Sequence, residues 1–216
     1  MRMRKKKHLD ERLMLCEAVL ERAPETRRGA WRAMFDASFA DAVLALEIGC
    51  GKGAFLCGMA KQNPDRVFIG LERSPEAMLL AAEKAVAAGL KNVRFIMADA
   101  AKLDTFFAPE EVSVIYLNFS DPWPKSRHAK RRLTAPSFLA LYRACLCEDG
   151  KICQKTDNPL LFDYSLESYR ACGWRVEDVC RDLHASKQAE NNVMTEYEKA
   201  FSARGIPILS AVAYKQ

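Results

Sequence analysis

The chain has 216 residues, 50% of them hydrophobic, and a formal net charge of +5. This length and composition predict one globular domain with a substantial core and exclude an intrinsically disordered chain. No apolar run is long enough to span a membrane, and no apolar stretch follows the basic N-terminus as in a signal peptide. We therefore expect a soluble, cytoplasmic protein.

The eight cysteines contain no C-x-x-C pair, and only three histidines are present. Zinc sites use cysteines and histidines at characteristic short spacings, so no metal is expected. Most of the cysteines lie in apolar segments, which favours small buried side chains in a reducing compartment.

The N-terminal residues 1–40 are predicted to form a basic arm and a helical extension ahead of a main domain, residues 41–216. Residues 1–8 are rich in Lys and Arg, which is typical of a mobile arm. Residues 10–23 have apolar side chains at helical spacing before a proline, so a helix is predicted there. The aromatic side chains of Trp31, Phe35 and Phe39 recur at a helical interval and predict a second, short helix that packs on the main domain.

From residue 43 onward, apolar runs typical of buried strands alternate with segments of helical periodicity. This alternation predicts an α/β fold with a doubly wound, mostly parallel sheet. Residues 185–193 are polar without periodicity and are predicted to be a loop, and the T-E-Y-E sequence that follows has the form of a helix capping box. The predicted strands are residues 43–48, 67–71, 93–97, 112–117, 151–155, 174–180 and 206–214.

A glycine-rich turn, G-C-G-K-G, lies between the first of these strands and the next helix. Gly49 and Gly51 let the backbone turn tightly and approach a ligand closely, so both are candidate cofactor-binding residues. The pattern alone is weak, because Ala54 also allows a match to the dinucleotide motif G-x-G-x-x-A. A nucleotide-cofactor oxidoreductase is therefore an alternative, although no candidate hydride-relay histidine lies near the strand ends.

Acidic residues end the first predicted strands of the main domain: Glu47, Glu72 and Asp99. Parallel strands bring such ends to one edge of the sheet, where ligands bind. Glu47 suits the cationic methionine end of S-adenosylmethionine, whereas it would repel a pyrophosphate. Glu72 can accept both ribose hydroxyls, and Asp99 can accept from the adenine amino group. Together the acids favour S-adenosylmethionine as the cofactor.

The most informative stretch is N-F-S-D-P-W-P-K-S-R-H-A-K-R-R-L, residues 118–133. Its two prolines cannot donate to a β-ladder, so the preceding strand ends near Asp121, which places that carboxylate at the same edge. Trp123 is expected either to stack on a base or to lie buried under the loop. We interpret the basic run that follows as a polyanion-binding loop beside a reactive pocket, formed by Lys125, Arg127, His128, Lys130, Arg131 and Arg132.

These motifs, in this order, resemble those of the bacterial tRNA (guanine-N7)-methyltransferases: the glycine turn preceded by Glu47, the D-P-W-P-K-S-R-H-A-K-R-R-L segment, T-D-N at residues 156–158 and T-E-Y-E at residues 195–198. The resemblance extends over nearly the whole chain, and the D-P-W-P-K segment is its most specific part. It implies a Rossmann-like class I methyltransferase fold with a seven-stranded sheet. It further implies methyl transfer from S-adenosylmethionine to N7 of a guanosine in the variable loop of tRNA, at position 46.

The resemblance also implies roles for individual residues. Asp121 is the implied catalytic residue, and the loop from Arg127 to Arg132 is implied to touch RNA. Ser126 and Ala129 depart from the family pattern, which reduces the basic character of the loop and leaves Asp121 and Lys125 in place. The implied cofactor contacts are Glu47, Glu72, Asp99 and Asp121. The implied substrate contacts are Lys125, Asp157, Thr195, Glu196, Tyr197 and Glu198.

Guanine N7 carries a lone pair at neutral pH, so methyl transfer to it requires no general base. We expect Asp121 to orient the base and to stabilise the positive charge that appears on it, without accepting a proton. Activity is then expected to be nearly flat between roughly pH 6 and 9. An alternative is a methyltransferase-like RNA-binding protein without activity. The sequence leaves both a monomer and a homodimer open.

Overall fold

A computed structural model describes residues 6–216 and has helices on both faces of a mostly parallel sheet. The predicted fold class is therefore confirmed. The arm predicted for residues 1–8 lies mostly outside the described residues. The strands are β1 (Leu20–Glu21), β2 (Leu44–Ile48), β3 (Val67–Glu72), β4 (Val93–Met97), β5 (Val112–Asn118), β6 (Leu146–Thr156), β7 (Arg175–Cys180) and β8 (Leu209–Tyr214). The helices are α1 (Leu9–Leu15), α2 (Ala54–Gln62), α3 (Pro75–Ala87), α4 (Leu103–Phe106), α5 (Pro136–Cys145), α6 (Pro159–Ala171) and α7 (Glu196–Ser202).

The sheet has the strand order β1-β4-β3-β2-β5-β6-β8-β7, with eight strands and not the expected seven. The additional strand is β1, which lies where a longer helix was predicted. The helix α1 ends at Leu15, and the chain is extended at Leu20, where it pairs in parallel with β4. Without this pairing β4 would be an edge strand with unpaired N–H and C=O groups. Satisfying those groups therefore outweighs the local helical pattern.

The aromatic segment of residues 31–39 forms two short 3-10 turns in place of the predicted helix, Trp31–Met34 and Ala37–Phe39. The backbone N–H of Trp31 donates to the buried carboxylate of Glu111, and its indole N–H donates to the carbonyl of Phe106. Trp31 is 0% exposed, so the expected packing on the main domain is confirmed although the helix is wrong. These long-range hydrogen bonds take the place of the helical ones.

Both faces of the sheet are packed, as a doubly wound sheet requires. The helices α1, α2 and α3 cover one face, around Phe68 and Phe95. The helices α4, α5 and α6 cover the other face together with Trp31. Among the strands of residues 6–216, β8 alone is reversed, since it runs antiparallel to both of its neighbours, β6 and β7. The two cores hold the strand ends in fixed positions, which positions the polar residues described below.

The close packing of α2 on α3 depends on Gly53, the residue before α2, which has a φ of 73°. A Cβ atom at this position would lie 2.8 Å from the Cβ atom of Ala81 on α3. Contacts this short do not occur between carbon atoms, so a side chain here would push the two helices apart. The third glycine of the turn therefore serves packing, whereas the first two face open space.

The remaining differences from the predicted elements concern their boundaries. The strand β6 begins earlier than predicted, because Leu146 already pairs with Val112 on β5. Residues 185–193 are irregular, as predicted, with 3-10 turns at Leu183–Ala185 and Lys187–Asn191. The predicted capping box at the start of α7 is confirmed. Within residues 6–216, no helix combines the length and apolarity needed to cross a bilayer.

Candidate active site

The polar residues singled out in the sequence meet at the carboxyl edge of the sheet, the edge where the parallel strands end. The strands β2 and β5 are neighbours there, but the chain continues to β3 on one side and to β6 on the other. Such a reversal of strand order opens a crevice, which is where ligands bind in open α/β sheets. The glycine turn follows β2, and the D-P-W-P segment follows β5, so both border this crevice.

The glycine turn uses its own N–H groups to join neighbouring strand ends. The N–H groups of Gly49 and Cys50 both donate to the carbonyl of Leu71, over 2.8 and 3.0 Å. The N–H of Gly51 donates to Glu72 Oε2 over 3.0 Å. A pyrophosphate cradle needs such N–H groups to point at the ligand. This turn therefore offers close backbone approach, since a Cβ atom on Gly49 or Gly51 would meet nothing within 4 Å, but no anion cradle.

The acids that end β3 and follow β4 lie beside this turn. Glu72 Oε1 accepts from the N–H groups of Arg73 and Ser74, both over 2.8 Å, so this carboxylate is held rigidly. Carboxylate oxygens accept about four hydrogen bonds in total, which leaves capacity for a ligand hydroxyl. Asp99 accepts from the N–H of Ala101 and lies 3.5 Å from the Arg73 guanidinium. Both acids are partly exposed at the edge, as predicted for a cofactor site.

Glu47 is the most unusual acid in the site, because it is 2% exposed at the end of β2. Its Oε1 accepts from Asn118 Nδ2 over 2.9 Å, but its Oε2 has no hydrogen-bond partner within residues 6–216. Burial raises the pKa of this carboxyl to about 8, although the Asn118 hydrogen bond and the charge of Lys155 oppose the shift. A buried carboxylate with an unpartnered oxygen fits a cationic ligand, such as the methionine end of S-adenosylmethionine.

Two cysteine thiols lie close to Glu47, one in the glycine turn and one on α2. Burial raises the pKa of Cys57 to about 11 and raises that of Cys50 still more clearly. Both thiols are therefore protonated at neutral pH, and the thiolate is the reactive form of cysteine. The structure assigns these two side chains to packing, as the sequence predicted for most cysteines.

The loop after β5 has a constrained backbone, because Phe119 and Trp123 both have positive φ values, 53° and 41°. Non-glycine residues adopt this conformation only where other contacts hold it. Arg132 supplies such contacts, since its guanidinium donates to the carbonyls of Pro122 and Trp123, each over 3.1 Å. The same guanidinium lies 4.2 Å from the ring centroid of Tyr164 on α6. Arg132, predicted to bind RNA, thus braces the loop.

The outer side of this loop is polar and exposed. The carboxylate of Asp121 and the ammonium of Lys125 make no hydrogen bond or ion pair with other described residues. Trp123 is half-buried: the ring of His128 approaches it edge to face at 5.7 Å, and Arg131 lies 5.0 Å from its ring centroid. The side chain is therefore not fully buried under the loop, and its stacking on a base stays a prediction. The exposed basic side chains are Lys125, Arg127, Lys130 and Arg131.

A long connection between β7 and β8, residues 181–208, crosses the carboxyl edge, and we call it the strap. Lys84 on α3 forms an ion pair with Glu196 of the strap and also donates to the carbonyl of Lys52, over 2.8 Å. Because Lys52 belongs to the glycine turn, this lysine joins the strap to the cofactor side of the site.

A buried ion pair joins the strap to β6. Lys155, at the end of β6, donates to Glu198 Oε2 over 2.7 Å and to Asn192 Oδ1 and the Val193 carbonyl, each over 2.9 Å. Burial lowers the pKa of Lys155, and the charge of Glu198 opposes this shift. Glu198 is 0% exposed, so its carboxylate faces Lys155 and not the solvent. Lys155 was not among the site residues predicted from the sequence.

The T-E-Y-E segment has mixed exposure. Thr195 is buried, and its hydroxyl accepts from the N–H of Glu198 in the capping box. Glu196 pairs with Lys84, whereas Tyr197 is 61% exposed. Only Tyr197 therefore projects freely outward, and Asp157 lies partly exposed after β6. The predicted substrate contacts of these residues stay predictions.

Solved structures share this fold. A 16S rRNA methyltransferase, KamB, superposes with a TM-score of 0.63 at 16% identity, covering 86% of this chain and 90% of that chain. A precorrin-6y C5,15-methyltransferase from Geobacter metallireducens GS-15 superposes with a TM-score of 0.56 at 14% identity, covering 98% and 94%. At these identities the similarity concerns the fold alone.

Sequence similarity is more specific. A family described as putative methyltransferase matches residues 41–211. A tRNA (guanine-N(7)-)-methyltransferase of Geobacillus kaustophilus (strain HTA426) is 49% identical over 205 residues, covering 95% of this chain and 93% of that protein. A protein of the same name from Listeria monocytogenes serotype 4b (strain F2365) is 44% identical over 208 residues, covering 96% and 95%. The oxidoreductase alternative receives no support from these relatives. The chain therefore belongs to the tRNA (guanine-N7)-methyltransferase family.

Proposed function

We propose that this protein transfers the methyl group of S-adenosylmethionine to N7 of a guanosine in tRNA, at position 46 in the variable loop. One observation supports this most strongly. The buried Glu47, with an unpartnered oxygen, lies at the same carboxyl edge as the exposed Asp121 and the basic side chains that follow it. A seat for a cationic donor thus adjoins a surface for a polyanion, as this reaction requires.

The residues on the sheet edge fit the cofactor in the order in which they occur. The cofactor, when bound, supplies an electrophilic methyl group on a sulfonium. Glu47 would hold its cationic methionine end, and Gly49 and Gly51 would let it approach the backbone closely. The remaining acceptor capacity of Glu72 would take ribose hydroxyls, and Asp99 would take the adenine amino group.

The acceptor side requires positioning more than proton transfer. Guanine N7 already has a lone pair, so the protein has to align it with the methyl group and stabilise the positive charge that develops on the ring. Asp121 is exposed and makes no hydrogen bond with other residues in 6–216, which leaves its carboxylate available for this task. Asp157 would assist from the end of β6.

The exposed side chains of Lys125, Arg127, Lys130 and Arg131 would hold tRNA phosphates, while Arg132 would keep its bracing contacts. Tyr197 is the side chain of the strap that is best placed to meet the substrate. Affinity for tRNA would then decrease with salt concentration, because phosphate contacts release counterions.

Transfer of labelled methyl from S-adenosylmethionine to tRNA that lacks N7-methylguanosine tests the proposal, followed by mapping of the modified base. We expect Asp121→Ala to lower kcat by about 100-fold or more, since electrostatic stabilisation of a transition state has this magnitude. Asp65→Ala, a change at an exposed acid before β3, is the matched control and should leave kcat unchanged. Binding of tRNA and cofactor without transfer would support the inactive RNA-binding alternative.

We further propose residues 41–216 as the methyltransferase domain and residues 1–40 as an extension to it. The cytoplasmic location and the choice between a monomer and a homodimer stay predictions from the sequence. Sedimentation equilibrium at several protein concentrations would decide between the two oligomeric states.

A further inference from the structure

Asn118 and Glu47 form a polar pair inside an apolar environment. Asn118 is the last residue of β5 and is 8% exposed, and its side chain lies on the sheet face covered by α2. Its Nδ2 donates to Glu47 Oε1 over 2.9 Å, and neither side chain makes another hydrogen bond within residues 6–216. The Oδ1 atom of Asn118 and the Oε2 atom of Glu47 are both buried and both lack a partner.

When Glu47 is ionised, as pairing with a cation requires, these two buried acceptors without partners are costly, because each loses its hydrogen bonds to water without replacement. Such groups are rare in native structures and call for an explanation, such as a functional role or a bound ion. The missing partner here is a donor with more than one N–H, since two acceptors from different side chains need it. A primary ammonium group carries three N–H donors and a positive charge, so it satisfies both oxygens at once.

We propose that Asn118 is a second side chain that seats the ammonium group of S-adenosylmethionine: its amide N–H fixes the carboxylate of Glu47, and its carbonyl oxygen accepts from the ammonium together with Glu47 Oε2. This inference rests on the proposed function, because it names a further residue for the same cofactor. Asn118 lies before the D-P-W-P segment and was not among the site residues predicted from the sequence.

The arrangement also explains why an amide, and not another acid, occupies this position. A second carboxylate would add negative charge to a buried site that already raises the pKa of Glu47. The amide offers one donor to the carboxylate and one acceptor to the ligand without any charge. Asn118 therefore orients Glu47 and completes the seat.

Calorimetric binding of two probes to the full chain tests the proposal: S-adenosylhomocysteine, which carries the ammonium, and methylthioadenosine, which lacks the amino-acid part. We expect Asn118→Ala to weaken S-adenosylhomocysteine binding by about tenfold to 100-fold, because the loss of a hydrogen bond to a charged group lowers affinity by about this factor. Binding of methylthioadenosine should change less than about twofold. Asn118→Leu, which fills the space with an apolar side chain, should give the same selective loss.

Tyr116→Phe is the matched control, because Tyr116 lies two residues earlier on the same face of β5, edge to face with Phe55 at 4.9 Å. It should bind both probes as the unchanged protein does. Equal weakening of both probes in the Asn118 variants, or no weakening of either, would overturn the inference while leaving the proposed function intact. Failure of the unchanged protein to bind either probe would instead remove the proposed function, and the inference with it.

Discussion

The two halves of the site are built on opposite physical principles. On the cofactor side, Glu47, Asn118 and Lys155 are buried, and burial shifts the pKa values of the glutamate and the lysine. On the tRNA side, Asp121 and the basic side chains are exposed and make no such internal pairs. A small ligand that is always the same can be matched by fixed, desolvated groups, whereas a large polyanion is met by many solvated charges. Substitutions should therefore cost stability and cofactor affinity on the cofactor side, whereas changes to the exposed side chains of Lys125, Arg127, Lys130 and Arg131 should cost only tRNA affinity.

The largest effect is expected at the buried pair of Lys155 and Glu198. Glu198→Leu leaves the lysine ammonium buried without its carboxylate, so the free energy of unfolding should decrease by about 3–5 kcal/mol. Urea denaturation measures this change. The double substitution Lys155→Met with Glu198→Leu removes both charges and should restore most of the loss.

The matched control for this pair is the exposed ion pair of Arg181 and Asp163, whose side chains are 61% and 50% exposed. Asp163→Ala should change the free energy of unfolding by less than about 1 kcal/mol. Equal effects at the two pairs would contradict the view that burial makes the pair of Lys155 and Glu198 important for stability.

A smaller effect is expected from pH on the cofactor side. Because burial raises the pKa of Glu47 to about 8, this carboxyl is mostly protonated at neutral pH in the protein without ligand. It has to lose a proton before it can pair with an ammonium. Affinity for S-adenosylhomocysteine should therefore increase by up to about tenfold per pH unit from about pH 6 to about pH 8, with proton release measurable by calorimetry in different buffers.

Glu47→Gln provides the control for this pH dependence. It should bind the ligand weakly and independently of pH over the same range. The raised pKa also means that the unchanged protein loses folding free energy as pH rises from the usual range of a glutamate to about 8. The glutamine variant lacks this loss, so it should be the more stable of the two at pH 8 by a few kcal/mol, on the order of magnitude set by the shift. A flat binding profile in the unchanged protein would contradict this account.

The smallest effects are expected at single positions of the basic loop. Lys130→Ala should weaken tRNA binding a few-fold and reduce the salt dependence of log K by about 1, with no change in cofactor affinity or stability. Arg132→Ala should behave differently, because it removes the braces to Pro122 and Trp123. It should lower the free energy of unfolding by about 1–2 kcal/mol. Filter binding at several salt concentrations and urea denaturation separate the two behaviours.

Much of the fold was predictable because it depends on local pattern. The seven strands β2 to β8, the glycine turn and the capping box at Thr195 follow from periodicity and from residues close in sequence. The strand β1 was not predictable, because it depends on the free edge of β4, which is far away along the chain. The same holds for the Glu111 carboxylate that replaces helical hydrogen bonds near Trp31.

The site shows the same division. The acids at Glu47, Glu72 and Asp99 were identified because strand ends can be located in the sequence, and the structure places them at one edge. Asn118 and Lys155 were missed because their importance depends on the register that sets β5 against β2 and β6. Arg132 was grouped with its neighbours by charge, whereas its orientation toward Tyr164 gives it another task.

The burial of Cys50 in the glycine turn has a practical consequence. A thiol whose pKa is raised so far reacts with alkylating reagents only when the turn opens to water. The rate at which Cys50 is alkylated therefore measures how often the glycine turn opens. Slower alkylation with ligand bound would give the free energy by which the ligand stabilises the closed turn. Cys50 thus provides an intrinsic chemical probe for local opening of the proposed binding site.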